Sequence, residues 1–388
     1  MRMSSGLPMA VILAGACFIF IAHTDGGDQK AKGDALQALV DAYRADACRS
    51  LPQSQWKECW RTWFDRFTEA IKGVADCDAR RSAQFVRVSL ANGLDRFATS
   101  RDICLEEAGR PYPLSGHIMW LFDAASAAEY LFYTSQQPED GKEALALYSR
   151  AKREFTLHIN DPYVINSDLD IMFVANGDSH ARLAEKVGAG PIEAGQILLE
   201  SERVWRENLT GEKRRSLQYP NAPIDGEFLL SKAMLAFARG QALSEAWEAF
   251  RRLEAEAALR RPLARYFLDL ALTAYPNGGV QLHNRVNDWL RNHGHDPLRG
   301  EVMLDVGRHQ FRQGYAGLAA PVLERIVAEF ESATESDAVA RRYVIDASYE
   351  LRSVCERNGK QEEARRHMDR FAKLAAPEDP RRATIKDQ

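Results

Sequence analysis

One spacing recurs along the chain and constrains its fold more than any other feature. Gly314 is followed by Ala319, then by Leu323 and Ile326, four and seven residues after the alanine. Gly359 leads in the same way to Ala364, Met368 and Phe371. Gly141 precedes Ala144, Tyr148 and Ala151, and Gly190 precedes Ala194, Leu198 and Ser201. Gly240 reaches Ala246, Phe250 and Leu253 with one extra residue between glycine and alanine. Positions i, i+4 and i+7 share one side of an α-helix, so each set predicts a helix with a small residue near its start. The small residue lets a preceding helix come close, and the glycine allows a tight turn between the two. Each unit therefore reads as helix, short turn, helix. Strand-like alternation of Val, Ile and Thr is scarce, and segments rich in Ala, Leu, Glu and Arg dominate, so the chain is expected to be all-α.

These units resemble the tetratricopeptide-repeat family. In that family a glycine marks the first helix, and an alanine, a large apolar residue and a second small residue mark the next. GKEALALYSRA supplies Ala144, Tyr148 and Ala151; DVGRHQFRQGYAGLAAPVLERI supplies Gly307, Gly314 and Ala319; LRSVCERNGKQEEARRHMDRF supplies Leu351, Gly359 and Ala364. Arg352 stands where the family has a small residue, and Phe371 is a further departure. The anchor alanines 144, 194, 246, 319 and 364 lie 50, 52, 73 and 45 residues apart, against a family period of about 34. The longest gap has room for a degenerate unit between Leu263 and Gly294. The resemblance implies a helix-hairpin α-solenoid over residues 115–375 that acts as a protein-binding scaffold.

Residues 34–110 read as an N-terminal helical cap, since terminal units must close an otherwise open core. Their stripe Trp56, Trp60, Trp63, Phe64 and Phe67 has helical spacing and is expected to be a core face. Four cysteines fall in this region: Cys48, Cys59, Cys77 and Cys104. Four cysteines allow three pairings. Cys48 and Cys59 flank a turn at Pro52, whereas Cys77 lies roughly 27 Å from Cys59 along the second helix at 1.5 Å per residue. A Cys48–Cys59 disulfide is therefore preferred, with Cys77–Cys104 remaining if the chain turns back at Asn92 and Gly93. A four-cysteine zinc site is disfavoured, because no C-x2-C pair occurs. Cys355 is expected to be a buried small residue.

The start of the chain stands apart. An uncharged apolar stretch from Leu7 to Ala22 follows Arg2, and 24–33 reads as a polar linker. Cys17 in LAGAC resembles a bacterial lipoprotein box, although Ala14 replaces the usual leucine and the apolar run continues past the cysteine. Residues 1–23 are thus read as a signal or anchor segment with three fates open: lipidation at Cys17, retention as a membrane anchor, or cleavage. Each places the remainder outside the cytosol, where disulfides persist. Residues 376–388 are expected to form a frayed tail.

Fifty-one basic and 55 acidic residues leave a formal charge of −4, which lacks the basic excess of a nucleic-acid binder. No catalytic motif stands out, and no metal or cofactor is expected. Asp178, Ser179 and His180 are neighbours in sequence, whereas a triad is assembled by the fold; they read as a polar turn or helix cap. His293, His295 and Asp296 sit in a Gly-Pro loop and read as solvated. VGAGPIEAG lacks the lysine of a phosphate loop and reads as an interhelical turn. Charged helices such as SEAWEAFRRLEAEAALRR read as solvated faces. The sequon at Asn208 matters only in a glycosylating host. The expectation is a non-enzymatic scaffold of the bacterial cell envelope, tethered to the membrane by its N-terminal segment and holding a protein or peptide partner. The competing expectations are an all-α enzyme, with a site near His180 and Asp178 or near His293 and His295, and a membrane-tethered structural spacer.

Overall fold

The computed structural model describes residues 27–46, 48, 50–75, 77–165, 167–218, 223–256 and 258–383. The apolar segment 1–23, with Cys17, lies outside them. Among the described residues there are helices and turns and no strand, and no helix is long and apolar enough to cross a membrane. The chain divides into two units that meet between Gly226 and Glu227.

The first unit contains α1 (Gly27–Asp46), α2 (Trp56–Ala70), α3 (Asp78–Gly93), α4 (Phe97–Ala108), α5 (Leu114–Ser135) and α6 (Pro138–Leu157). It continues through α7 (Pro162–Ile165), α8 (Leu169–Ala175), α9 (Gly177–Lys186), α10 (Pro191–Glu207) and α11 (Gly211–Ser216). Helix α1 begins at Gly27, so residues 27–33 are helical and not the linker expected there. Lys32 pairs with Asp28 one turn earlier at 2.6 Å, and the acid lies in the first turn, where the helix dipole favours it. On α2, Phe64 and Phe67 are buried, and Trp56, Trp60 and Trp63 are half-buried beside them. Helix α4 packs along α5, so the expected border near 110–115 falls inside one unit. Apolar residues cover most of α5, which lies between α4 and α6. A single helical stretch is broken at Asn176, which ends α8 and begins α9, and both pieces pack on α10.

The second unit opens within α12 (Gly226–Arg239), followed by α13 (Leu243–Glu254), α14 (Leu263–Ala274), α15 (Val280–Asn292), α16 (Arg299–Arg312), α17 (Ala316–Phe330), α18 (Ala338–Arg357) and α19 (Gln361–Leu374). From α13 to α19 each helix packs on the next through a short connection, and α14, α16 and α18 also pack side by side. The 73-residue gap between anchor alanines holds the pair α14 and α15.

The anchor residues lie in the packing surfaces. Ala144, Tyr148, Ala151, Ala194, Ala246, Ala319 and Ala364 are all buried. At Gly307, in α16, an added Cβ would come within 2.7 Å of the Leu323 side chain on α17. Gly314 and Gly359 take φ of 87° and 73°, the left-handed conformation that closes a helix with least strain when no Cβ is present. After α12 that conformation falls on Gln241 (φ 59°) and not on Gly240, at the unit whose spacing carries one extra residue. The departures from the family pattern are also accommodated. Arg352 is buried with its guanidinium over the Tyr349 ring, and Phe371 is fully buried against the same tyrosine.

The tail departs from its expected fraying. Arg381 reaches Asp346 on α18 at 2.7 Å, and Arg382 donates to the carbonyls of Ala372 and Ala375. These carbonyls belong to the group that a helix end leaves without intrahelical donors, so the arginine caps α19. Residues 384–388 lie outside the described residues.

Candidate functional site

Stacking α14, α16 and α18 brings three helix faces into one surface, and charges on successive turns of each helix meet across it. Arg265 on α14 pairs with Glu301 on α16, and Glu301 pairs with Arg342 on α18 at 3.1 Å. One to two turns further along α16, Arg308 contacts Glu350 at 2.8 Å and Asp346 at 3.5 Å, both on α18. Asp346 is in turn held by Arg381 of the C-terminal segment. Arg308, Asp346 and Glu350 have side-chain exposures near 20%, so their pairs are less screened than pairs on an open surface, whereas the Arg265 and Arg342 side chains are more exposed.

Two charges in this row stand outside the pairing. Asp305, between Glu301 and Arg308 on α16, is half-buried and has no hydrogen-bond or ion-pair partner among the described residues. Burial raises its carboxyl above the usual carboxylate range, against the opposing pull of Arg308, Arg265 and Arg312. Arg312, two turns on from Asp305, is exposed and likewise has no ion-pair partner among the described residues.

A second polar constellation lies inside the first unit. The Tyr148 hydroxyl, brought inward by the Ala144–Ala151 stripe, donates to Glu129 on α5 at 2.8 Å and lies 3.2 Å from Ser126 Oγ. The His180 ring stacks on Tyr148 with centroids 5.2 Å apart, and neither of its nitrogens has a hydrogen-bond partner. Burial, with a smaller contribution from Lys152, holds this imidazole neutral and lowers its pKa to about 2. Lys152 is itself buried, donates to Ser201 at 3.1 Å and lies over the Phe173 ring; burial lowers its ammonium to about 8. Nearby on α5, the half-buried Asp123 is pushed up to about 7 by desolvation. Such perturbed groups cluster at functional sites, and also in structural networks. Here His180 and Lys152 are sealed in the packing between helices.

The sequence-derived candidates for chemistry do not come together. Asp178 pairs with Arg182 at 3.1 Å near the surface of α9, whereas His180 points into the core. Two residues apart on a helix, they face different sides. His293 stacks on Trp289 and contacts Glu254 at 2.7 Å, while His295 is exposed. Among the described residues no group of three or more His, Cys, Asp or Glu side chains is placed to hold a metal. VGAGPIEAG forms the turn into α10, with Gly188 and Gly190 at φ of 92° and 94° and Pro191 in the first helical turn.

Cys48 and Cys59 form a disulfide with Cα atoms 5.9 Å apart. The expected Cys77–Cys104 pairing is corrected: both are free thiols. Cys77 caps α3, its sulfur accepting from the Arg80 amide, while Cys104 is buried in α4, where burial, with smaller contributions from Asp123 on α5 and from Glu107, pushes its thiol up. Cys355 is buried on α18.

Lys152 was open to discovery in the sequence, since it adjoins Ala151 and follows Ala144 by eight residues in the same apolar stripe. The row on α14, α16 and α18 left no such mark, because its register depends on how successive hairpins align.

No family model matches the chain, and no curated protein matches it in sequence. Fifteen solved chains match by structure. One is described as a circular tandem repeat protein with novel repeat topology and enhanced subunit contact surfaces. It is 15% identical, with 89% of this chain and 90% of that one covered, at a TM-score of 0.24. A likeness at that score is too weak to inform the fold or the function.

Proposed function

We propose that this protein is a non-enzymatic scaffold of the bacterial cell envelope that binds a polypeptide partner along the row formed by α14, α16 and α18. The observation that carries this reading is the row itself. Three first helices of consecutive hairpins present charges that pair from helix to helix, and a stacked-helix surface of this kind offers a long contact without covalent chemistry. A partner seated there would meet fixed side chains, so little ordering entropy would be lost on the scaffold side.

Two observations support an exported location. Leu7–Ala22 is apolar and uncharged, and Cys48–Cys59 is a disulfide of the kind that persists in oxidising compartments. Membrane attachment through residues 1–23 belongs to the same proposal.

The test is affinity capture of the full chain from detergent-solubilised envelopes, comparing wild type with the Asp305→Lys, Arg312→Glu double variant. A partner retained by wild type and lost by the variant supports the reading. Identical protein sets from both overturn it and favour a structural spacer. Turnover abolished by substituting His180 or His293 would favour the enzyme reading.

A further inference from the structure

We infer that a cleft between α15 and α17 is a binding site for a small polyhydroxylated anion, whose charge is a carboxylate or a phosphate. The cleft lies on second helices of hairpins, and the inference does not rest on the scaffold reading.

The cleft measures about 580 Å³ and is lined by Asn284, Asn287, Asp288 and Arg291 of α15 and by Arg325 of α17. That volume falls within the range of small-molecule sites, about 300–1,000 Å³. The four α15 residues stand at i, i+3, i+4 and i+7, so they share one side of the helix and span about 10 Å along it. Leu282, Val286, Trp289 and Leu290 occupy the other side and are buried. Their burial fixes the rotation of α15, which turns the polar side towards the cleft that Arg325 also lines.

Two observations set the chemistry of the ligand. The first is the balance of donors and acceptors. Asn284 is exposed and Asn287 half-buried, and neither has a hydrogen-bond partner among the described residues. Each carboxamide offers two N–H donors and one oxygen. Arg325 donates from Nε to Glu329, which leaves both of its terminal nitrogens uncommitted. Arg291 donates to Asp288 from one terminal nitrogen only. Glu329 is shared with Arg299 at 3.4 Å, so Asp288 and Glu329 between them answer three guanidinium groups. Uncommitted N–H groups therefore outnumber uncommitted oxygens, and a ligand rich in oxygen and negative in charge completes the balance.

The second is the choice of side chain. Asparagine is a poorer helix former than Glu, Lys, Arg or Gln, because its amide competes for the backbone. A face that meets only water is served by those better formers, as the exposed Glu245, Glu248 and Arg251 serve α13. Two asparagines one turn apart on α15 suit hydroxyl groups instead, which both donate and accept. A neutral sugar would leave the guanidinium groups unanswered, and a bare phosphate would leave the carboxamides so.

The probes are glucuronate and glycerophosphate, with glucose, glycerol and inorganic phosphate as controls, titrated into the full chain in detergent by calorimetry at low salt. At least one of the two hydroxylated anions should bind about tenfold more tightly than any control, and which of them does so separates a carboxylate ligand from a phosphate one. Arg325→Gln should weaken that binding about tenfold. Asn287→Asp, nearly isosteric, should abolish it by placing a carboxylate among the donors. Both positions are at the surface, and an unchanged circular dichroism melt verifies that each variant folds; should Arg325→Gln melt early, Asn284→Asp replaces it with the same expected loss. Wild-type affinity in any folded variant overturns the inference, as does the absence of saturable binding up to about 10 mM. Inorganic phosphate or a neutral control binding as tightly as both hydroxylated anions overturns it too, because the cleft would then select neither charge with hydroxyls nor their combination.

Discussion

Gly307 and Gly317 offer a paired test of the packing account, because both are helical glycines that meet opposite surroundings. Replacing a helical glycine by alanine ordinarily stabilises by up to about 1 kcal/mol, through a smaller loss of backbone entropy. At Gly317, near the start of α17, an added Cβ meets nothing within 4 Å, so Gly317→Ala should stabilise the second unit by about 0.5 kcal/mol. At Gly307 the same methyl would sit 2.7 Å from both Cγ and Cδ2 of Leu323. Leu323 is fully buried, so it has no solvent-side rotamer to adopt. Overpacking of this kind costs about 1–3 kcal/mol, which outweighs the propensity gain and leaves a net loss of about 1–2 kcal/mol. Urea unfolding followed by circular dichroism would show the midpoint falling by roughly 0.5–1 M for Gly307→Ala, and rising slightly for Gly317→Ala. Equal, stabilising shifts for both would refute the close approach of α16 and α17, and with it the role assigned to the small residues in the repeated spacing.

Other consequences follow from single features. Cys48→Ser with Cys59→Ser should destabilise the first unit by about 2.5–3 kcal/mol, the loop entropy of an 11-residue closure, and dithiothreitol should reproduce the loss in wild type. Lys152→Met should stabilise at neutral pH, because it removes a buried ammonium. Since the folded pKa of Lys152 is lowered from 10.5 to about 8, the unfolded chain holds more protons between those values, and wild-type stability should climb with pH across that window. The gap between variant and wild type should therefore shrink by about 3 kcal/mol from pH 8 to pH 10.5 in denaturant titrations. A constant gap would place Lys152 in a wetter setting. Arg381→Ala should loosen the C-terminal segment, seen as faster amide exchange at Arg381 and Arg382 with the exchange of α16 unchanged.

What could be read from the sequence was whatever depends on contacts within one hairpin. Ala319 and Leu323, four residues apart, announce a helix face whatever lies beyond it, and Cys48 and Cys59 flank a turn that Pro52 makes legible. Features that depend on register between elements were hidden. Whether Cys104 faces Cys77 or α5 is decided by the rotation of α4 about its own axis, which the spacing of cysteines does not encode. The break at Asn176 adjoins the residues read as a polar turn or helix cap, but that α8 and α9 would both pack on α10 was not legible. The charged row looked like solvated helix faces, because each residue of a pair such as Glu301 and Arg342 lies on a different hairpin. The docked tail was missed for the same reason: Arg381 gains its order from Asp346, thirty-five residues earlier.

The central claim is that a partner occupies the row on α14, α16 and α18. Site-specific photocrosslinking in living cells tests it most directly, with a benzophenone amino acid placed at Arg312 on the row or at the exposed Glu324 on α17. A discrete crosslinked species from position 312, absent from position 324 and lost when Asp305→Lys is added, is the predicted result. Crosslinks of equal yield from both positions, or none from 312 while 324 gives one, would contradict the assignment of the row as the binding surface.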